Sequence, residues 1–260
     1  MPLPRMALAD VWPERLPHLR RLRVRLDDGR KTTVHVARHD VEATRVRVAL
    51  VRGQTLSSWC LAHGIREALV GGFFTRPACE PLGELRTGGI QRSSVPFDEP
   101  WGSRRTCVHV QGAAVGIAAR DALAAQPPGD LLQAGPLLVT DGRAVYDRAD
   151  DREGFSAGSS QFDSDITAGR HPRAALALTG DAVLAVACDG RSRADAGLTL
   201  EELASVLVGL GAHSAINLDG GGSTSLVAGG RLRNRPYADQ GIPERGGRPV
   251  ATALVFEPVA

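Results

Sequence analysis

The residues best equipped for chemistry lie late in the chain, in Asn217-Leu218-Asp219-Gly220-Gly221-Gly222-Ser223-Thr224-Ser225-Leu226. Ser214-Ala215-Ile216 reads as a short buried strand, which leaves the Asp219 carboxylate at a strand end. The three glycines allow positive φ values and let backbone approach a ligand with no Cβ in the way. Ser223, Thr224 and Ser225 add hydroxyls. A carboxylate beside bare backbone and several donors suits a polar or anionic ligand. One Asp-Gly pair is an ordinary turn signal, but three consecutive glycines exceed what a turn needs.

Other polar groups fall at the ends of neighbouring apolar runs. Arg173 precedes Ala174 to Leu178, Asp189 follows Ala182 to Ala187, and Glu244-Arg245 stands before the closing run from Pro249 to Phe256. If these runs are strands of one sheet, two acids and two guanidiniums converge at one edge. Paired Arg forks grip phosphate, while carboxylates orient or deprotonate water, or attack carbon. Taken singly, each arginine is equally compatible with a surface charge or a structural ion pair. His171 precedes Pro172, which holds it extended, so a general acid and a structural histidine are both open there. Gly71-Gly72 ends the run from Glu67 to Val70 and marks another close backbone approach, whereas Phe73 and Phe74 read as core. The chain has no G-x-S-x-G elbow, no phosphate-loop lysine and no H-E-x-x-H. Asp163-Ser164-Asp165 could hold a divalent cation such as Ca²⁺, although it lacks EF-hand spacing, and no other cofactor is indicated.

These residues need a scaffold, and the periodicity supplies one. Leu22, Val24 and Leu26 alternate with arginines, Asp27-Asp28-Gly29-Arg30 is a hairpin turn, and residues 33–36 and 44–51 continue as strands. Leu56 to His63 has helical spacing, stopped by Gly64. Residues 75–103 read as loop, 106–110 and 113–118 as strands, and 119–125 as a short helix. The apolar run from Leu131 to Val139 is broken at Gly135-Pro136. Residues 147–171 form a long polar loop of the kind that is functional or disordered. Thr199 and Glu202 form a capping box for a helix to about Leu210, and Leu226 to Leu232 reads as a hairpin. The expected fold is a single α+β domain over residues 21–260, with a mixed sheet, few helices and an irregular arm over residues 1–20.

Composition narrows the function classes. A formal net charge of +2 argues for neither nucleic acid nor a membrane surface. Lys31 is the only lysine, an Arg bias expected of a GC-rich bacterial genome. No run reaches the roughly 20 apolar residues of a membrane span. The first eight residues lack the apolar core of a signal peptide, so cytoplasmic residence is expected. Cys60, Cys79, Cys107 and Cys188 have no C-x-x-C spacing and read as reduced, mostly buried thiols.

The ordered motifs resemble the phosphodiester glycosidase domain family over Val70 to Phe256. Gly71-Gly72-Phe73-Phe74 is similar to its N-G-G-F-F segment. Gln133 to Leu138 with Asp141-Gly142 is similar to its G-x-P-x-L…D-G segment. His171-Pro172-Arg173 resembles its P-R-T block, Asn217 to Ser223 its N-L-D-G-G-G-S stretch, and Glu244-Arg245 its closing E-R. Val70 stands where the family has Asn and Ala174 where it has Thr, departures that bear on the substrate. The resemblance implies hydrolysis of a sugar-1-phosphodiester at the anomeric C–O bond. Under it, Arg173 and Arg245 clamp the phosphate and Asp219 is base or nucleophile. Asp189 or Glu244 positions water or a sugar hydroxyl. Gly71, Gly72, Gly220, Gly221, Gly222 and Ser223 shape the pocket, with His171, Asn217 and Thr224 beside it. The alternatives are a P–O cleaving phosphodiesterase acting on a phosphorylated metabolite or biosynthetic intermediate, and a non-catalytic sugar-phosphate binding module. The expected partner is a small glycosyl phosphodiester.

Overall fold

Alternating apolar residues bury one face of a strand, and continuous apolar runs bury both. This chain uses the two patterns in different layers. The computed structural model describes residues 18–155, 166–238 and 241–259. Of the arm expected over residues 1–20, residues 1–17 lie outside this range, while Leu19 and Arg20 belong to the first strand. Asp163-Ser164-Asp165 also lies outside it.

In chain order the strands are β1 (Leu19–Arg25), β2 (Lys31–Asp40), β3 (Thr44–Thr55), β4 (Ala68–Val70), β5 (Leu85–Thr87), β6 (Ile90–Gln91), β7 (Thr106–Gln111), β8 (Ala114–Ala119), β9 (Asp130–Gln133), β10 (Leu137–Thr140), β11 (Arg143–Ala144), β12 (Arg173–Leu178), β13 (Ala182–Cys188), β14 (Ser214–Asn217), β15 (Leu226–Ala228), β16 (Arg231–Leu232) and β17 (Pro249–Pro258). The helices are α1 (Leu56–Ala62), α2 (Trp101–Arg104) and α3 (Leu200–Gly209). A seven-stranded sheet runs β1-β2-β13-β12-β14-β10-β11. Two five-stranded sheets run β16-β15-β4-β17-β3 and β6-β5-β9-β7-β8. None of the described helices is long and apolar enough to cross a membrane.

The central strands β13, β12 and β14 of the seven-stranded sheet are buried on both faces, which explains their continuous apolar runs. Ala174, Leu176, Val183, Ala185, Ile216 and Leu218 face the core shared with the other two sheets. Their neighbours Ala175, Ala177, Leu184, Val186 and Ala215 face α3. α3 answers with Leu200, Leu203, Val206 and Leu207, each worth roughly 1.5–3 kcal/mol when fully buried. Its capping box is formed: Glu202 N–H donates to Thr199 Oγ1, and Thr199 N–H donates to the Glu202 carboxylate.

The expected loop over residues 75–103 contains β5, β6 and α2, which are two to four residues long and carry no readable period. The expected helix over 119–125 is one 3-10 turn, Arg120–Ala122. Within the long polar segment, Glu153 is buried, and its carboxylate accepts the amides of Thr106 and Leu137. Phe73 joins Leu82, Phe97 and Phe155 in a small satellite core, as expected of an apolar ring.

Candidate active site

Strand register decides which polar groups meet. In the antiparallel ladders Arg173 pairs with Cys188, and Ala175 pairs with Asn217. The start of β12 and the ends of β13 and β14 therefore share one edge of the seven-stranded sheet. Arg173, Asp189 and Asp219 are delivered there together. Glu244 and Arg245 arrive separately, in the loop before β17, a strand of a different sheet.

The turn after Asp219 is the hub. Asp219 N–H donates to Gly71 O at 3.0 Å, which joins it to the end of β4. Gly71 is packed so closely on Thr252 that a Cβ would collide with its side chain and backbone, and Gly72 N–H donates to Thr252 Oγ1 at 3.0 Å. Gly221 N–H donates to Pro172 O at 2.9 Å, and a Cβ on Gly220 would stand 3.0 Å from that same oxygen. Gly221 has φ +59°, and a Cβ there would meet Arg191 Nη1 at 2.9 Å. A Cβ on Gly222 would collide with Glu244 Oε2 and Arg248 Nη2. Three other segments thus close on the turn: Gly220 and Gly221 are held by the Pro172 backbone and a positive φ, and Gly222 leaves room for the side-chain ends of Glu244 and Arg248. Residues 221–223 form one 3-10 turn, and the amides of Gly220 and Gly222 donate no hydrogen bond among the described residues.

The guanidiniums divide into two kinds. Arg173 is buried and spends its donors on the carbonyls of Leu198, Ile166 and Gly169. Arg245 is exposed. Arg191 and Arg248, which the sequence reading passed over as site residues, are the two pressed against the glycines. His171 explains the placement of Arg191. Its Nε2 donates to Ala168 O at 2.8 Å, so its Nδ1 accepts from Arg191 Nε at 3.3 Å. Arg248 Nε lies 3.4 Å from Glu244 Oε2. One clue to Arg191 was in the sequence, since it stands two residues beyond a strand-end acid. Arg248 offered none, because its role depends on the loop from another sheet.

The acids differ as sharply. Asp189 is buried, with Oδ2 3.1 Å from His35 Nε2 and Oδ1 accepting Arg235 N–H at 2.6 Å. Asp219 is half-buried and near Cys79. Burial, and secondarily the Asp219 carboxylate, pushes the Cys79 thiol above its ordinary value, so it stays protonated at neutral pH. Cys79 also lines a groove of about 990 Å³ beside β3. Behind the turn, Asn217 donates from Nδ2 to Gly135 O at 2.9 Å. Among the described residues, Asn217 Oδ1, Thr224 Oγ1 and Ser225 Oγ are buried without a hydrogen-bond partner, and Ser223 is buried beside them. Unsatisfied buried polar atoms are uncommon in native folds and concentrate where water or ligand completes a site.

The phosphodiester glycosidase family matches residues 63–257. A search of curated protein sequences found no match. Among solved structures, the chain is similar to the zebrafish N-acetylglucosamine-1-phosphodiester alpha-N-acetylglucosaminidase catalytic domain, auto-inhibited by its pro-peptide. The TM-score is 0.67 at 18% identity, covering 94% of this chain and 85% of that one. A hypothetical protein from Synechocystis gives a TM-score of 0.60 at 19% identity, covering 91% and 61%. A Burkholderia pseudomallei protein described as exported gives 0.64 at 18%, covering 88% and 75%. The expectation of cytoplasmic residence is corrected, since one of these structural neighbours is described as an exported protein. A match of this length makes the chain a member of the phosphodiester glycosidase family.

Proposed function

We propose that the chain hydrolyses a sugar-1-phosphodiester between the anomeric carbon and the phosphate oxygen, releasing free sugar and a phosphomonoester. The observation that carries this reading is the Asp219–Gly222 turn, closed on by Arg191, Arg248 and Glu244. A phosphomonoester leaves readily, so the reaction needs less general-acid help than alcohol departure. It needs positive charge on the phosphate and negative charge near an oxocarbenium-like carbon. Arg191 and Arg248 meet the first need, with the exposed Arg245 at the rim and the amides of Gly220 and Gly222 as further donors. Asp219 meets the second, by taking the proton of attacking water or by attacking the anomeric carbon itself. Glu244, held by Arg248, positions water or a sugar hydroxyl. Arg173 and Asp189 act from behind, fixing the segments that carry His171, Arg191 and Arg235.

Turnover of glycosyl phosphodiesters in ¹⁸O-water tests the reaction. Label in the sugar supports C–O cleavage. Label in the phosphomonoester establishes P–O cleavage instead, and saturable binding without turnover establishes a binding module. Asp219→Asn is expected to abolish turnover with the thermal midpoint unchanged, and near-full activity in that variant would sink the assignment.

A further inference from the structure

A second cluster of polar side chains lies away from the glycine turn. β2 carries His35 toward Asp189 at one end and His39 near the other. Four residues of strand separate them by about 13 Å. His39 is buried, its ring stacked on Phe256 at 4.2 Å between centroids with 2° between planes, and its Nε2 has no hydrogen-bond partner among the described residues. Glu67, just before β4, accepts Gly229 N–H at Oε1 with a 2.7 Å bond. Its Oε2 is also buried without a hydrogen-bond partner among the described residues, although His18 Nε2 stands only 3.1 Å away. Imidazole and carboxylate are thus close but misaligned as donor and acceptor. His18 Nδ1 lies 3.1 Å from Arg38 O. A donor bond there assigns the proton to Nδ1 and leaves Nε2 as a lone pair facing the carboxylate.

We propose that His18, His39 and Glu67 form a site for a divalent transition-metal ion of the Zn²⁺ class. One ligand atom from each lies within 4.8 Å of the others, and they form the only such cluster among the described residues. Two imidazoles and a carboxylate are a known zinc donor set, with a fourth position left for water. Bond lengths near 2.1 Å put tetrahedral ligands about 3.4 Å apart, close to the 3.1 Å between His18 and Glu67. The Arg38 carbonyl on His18 and the Gly229 amide on Glu67 are the outer partners that orient metal ligands. The fourth position opens on a cleft of about 510 Å³ lined by Arg38, Thr44, Arg66 and Glu257. Such an ion ties the start of β1 and the end of β2 to β4, joining two sheets. It asks nothing of Asp219 and does not depend on the proposed reaction.

The test is Zn²⁺ titration of the full, chelator-treated chain by calorimetry, with thermal melts in parallel. One equivalent is expected to bind and to raise the melting midpoint by about 5 °C at a hundredfold excess over Kd. H18A and E67Q are expected to weaken binding about 100-fold or more while melting as the wild type does without metal. His18 is exposed, so H18A keeps the test valid where replacing the buried His39 disturbs folding. No saturable binding to the wild type, or binding within about threefold of wild type in both variants, would overturn the site.

Discussion

Asp189 and Asp219 hold equivalent places. Each follows a strand of the seven-stranded sheet at the same edge, and each precedes glycine. Their surroundings differ. Across from Asp189 lies β2, which supplies Thr32, Thr33 and His35. Thr32 Oγ1 donates to Asp189 O at 2.7 Å, Asp189 N–H donates to Thr33 O at 2.9 Å, and the carboxylate is taken up by His35 and the Arg235 amide. Across from Asp219 lies Gly71, which offers one carbonyl and no side chain. A strand-end acid becomes a buried brace when its neighbour is polar, and stays half-buried when its neighbour is bare. On the proposed reading, the pair separates positioning from chemistry within one sheet edge.

The largest expected effect is on turnover. Asp219→Asn should lower kcat about 10³-fold, equivalent to about 4 kcal/mol, with the urea midpoint unchanged. A comparable kcat loss from Asp189→Asn with no loss of stability would erase the distinction between the acids. Instead, Asp189→Asn should cost about 2 kcal/mol in urea unfolding, since a buried carboxylate loses charge-assisted bonds to His35 and Arg235. Next, Gly222→Ala displaces the ends of Glu244 and Arg248, which are flexible enough to move. It should raise KM about tenfold, or 1.4 kcal/mol, in steady-state assays. Smallest is the effect on Cys79. Asp219→Asn removes one cause of its raised thiol pKa, so iodoacetamide should alkylate it about threefold faster at neutral pH, and Asp189→Asn should leave that rate alone.

Much of the scaffold was legible because its signals are local. The β1–β2 turn, the capping box of α3 and the apolar runs of β12 and β13 all appear where propensity and period put them. The Asp219 turn was legible for the same reason, since three glycines in a row have few other uses. The Arg173 guanidinium, satisfied by three carbonyls, could not be told from a ligand clamp, because those carbonyls come from residues 166–198 by way of tertiary packing. Nor could Arg248 and Glu244 be placed, since their loop reaches the turn from another sheet. β2 hid its importance. Its sequence showed only a partner strand over residues 33–36, whereas Thr32, Thr33 and His35 are buried as partners of the loop from Asp189 to Asp195.

The Gly220–Gly222 turn contributes no side chains of its own. On the proposed reading, the side chains that would tell one ligand from another are lent chiefly by His171, Arg191, Glu244 and Arg248, which sit on three separate segments. Platform and selectivity are therefore modular. The turn can stay invariant while the lenders are exchanged, so a library confined to those four positions should retune substrate preference without touching the residues that hold the sheet edge together.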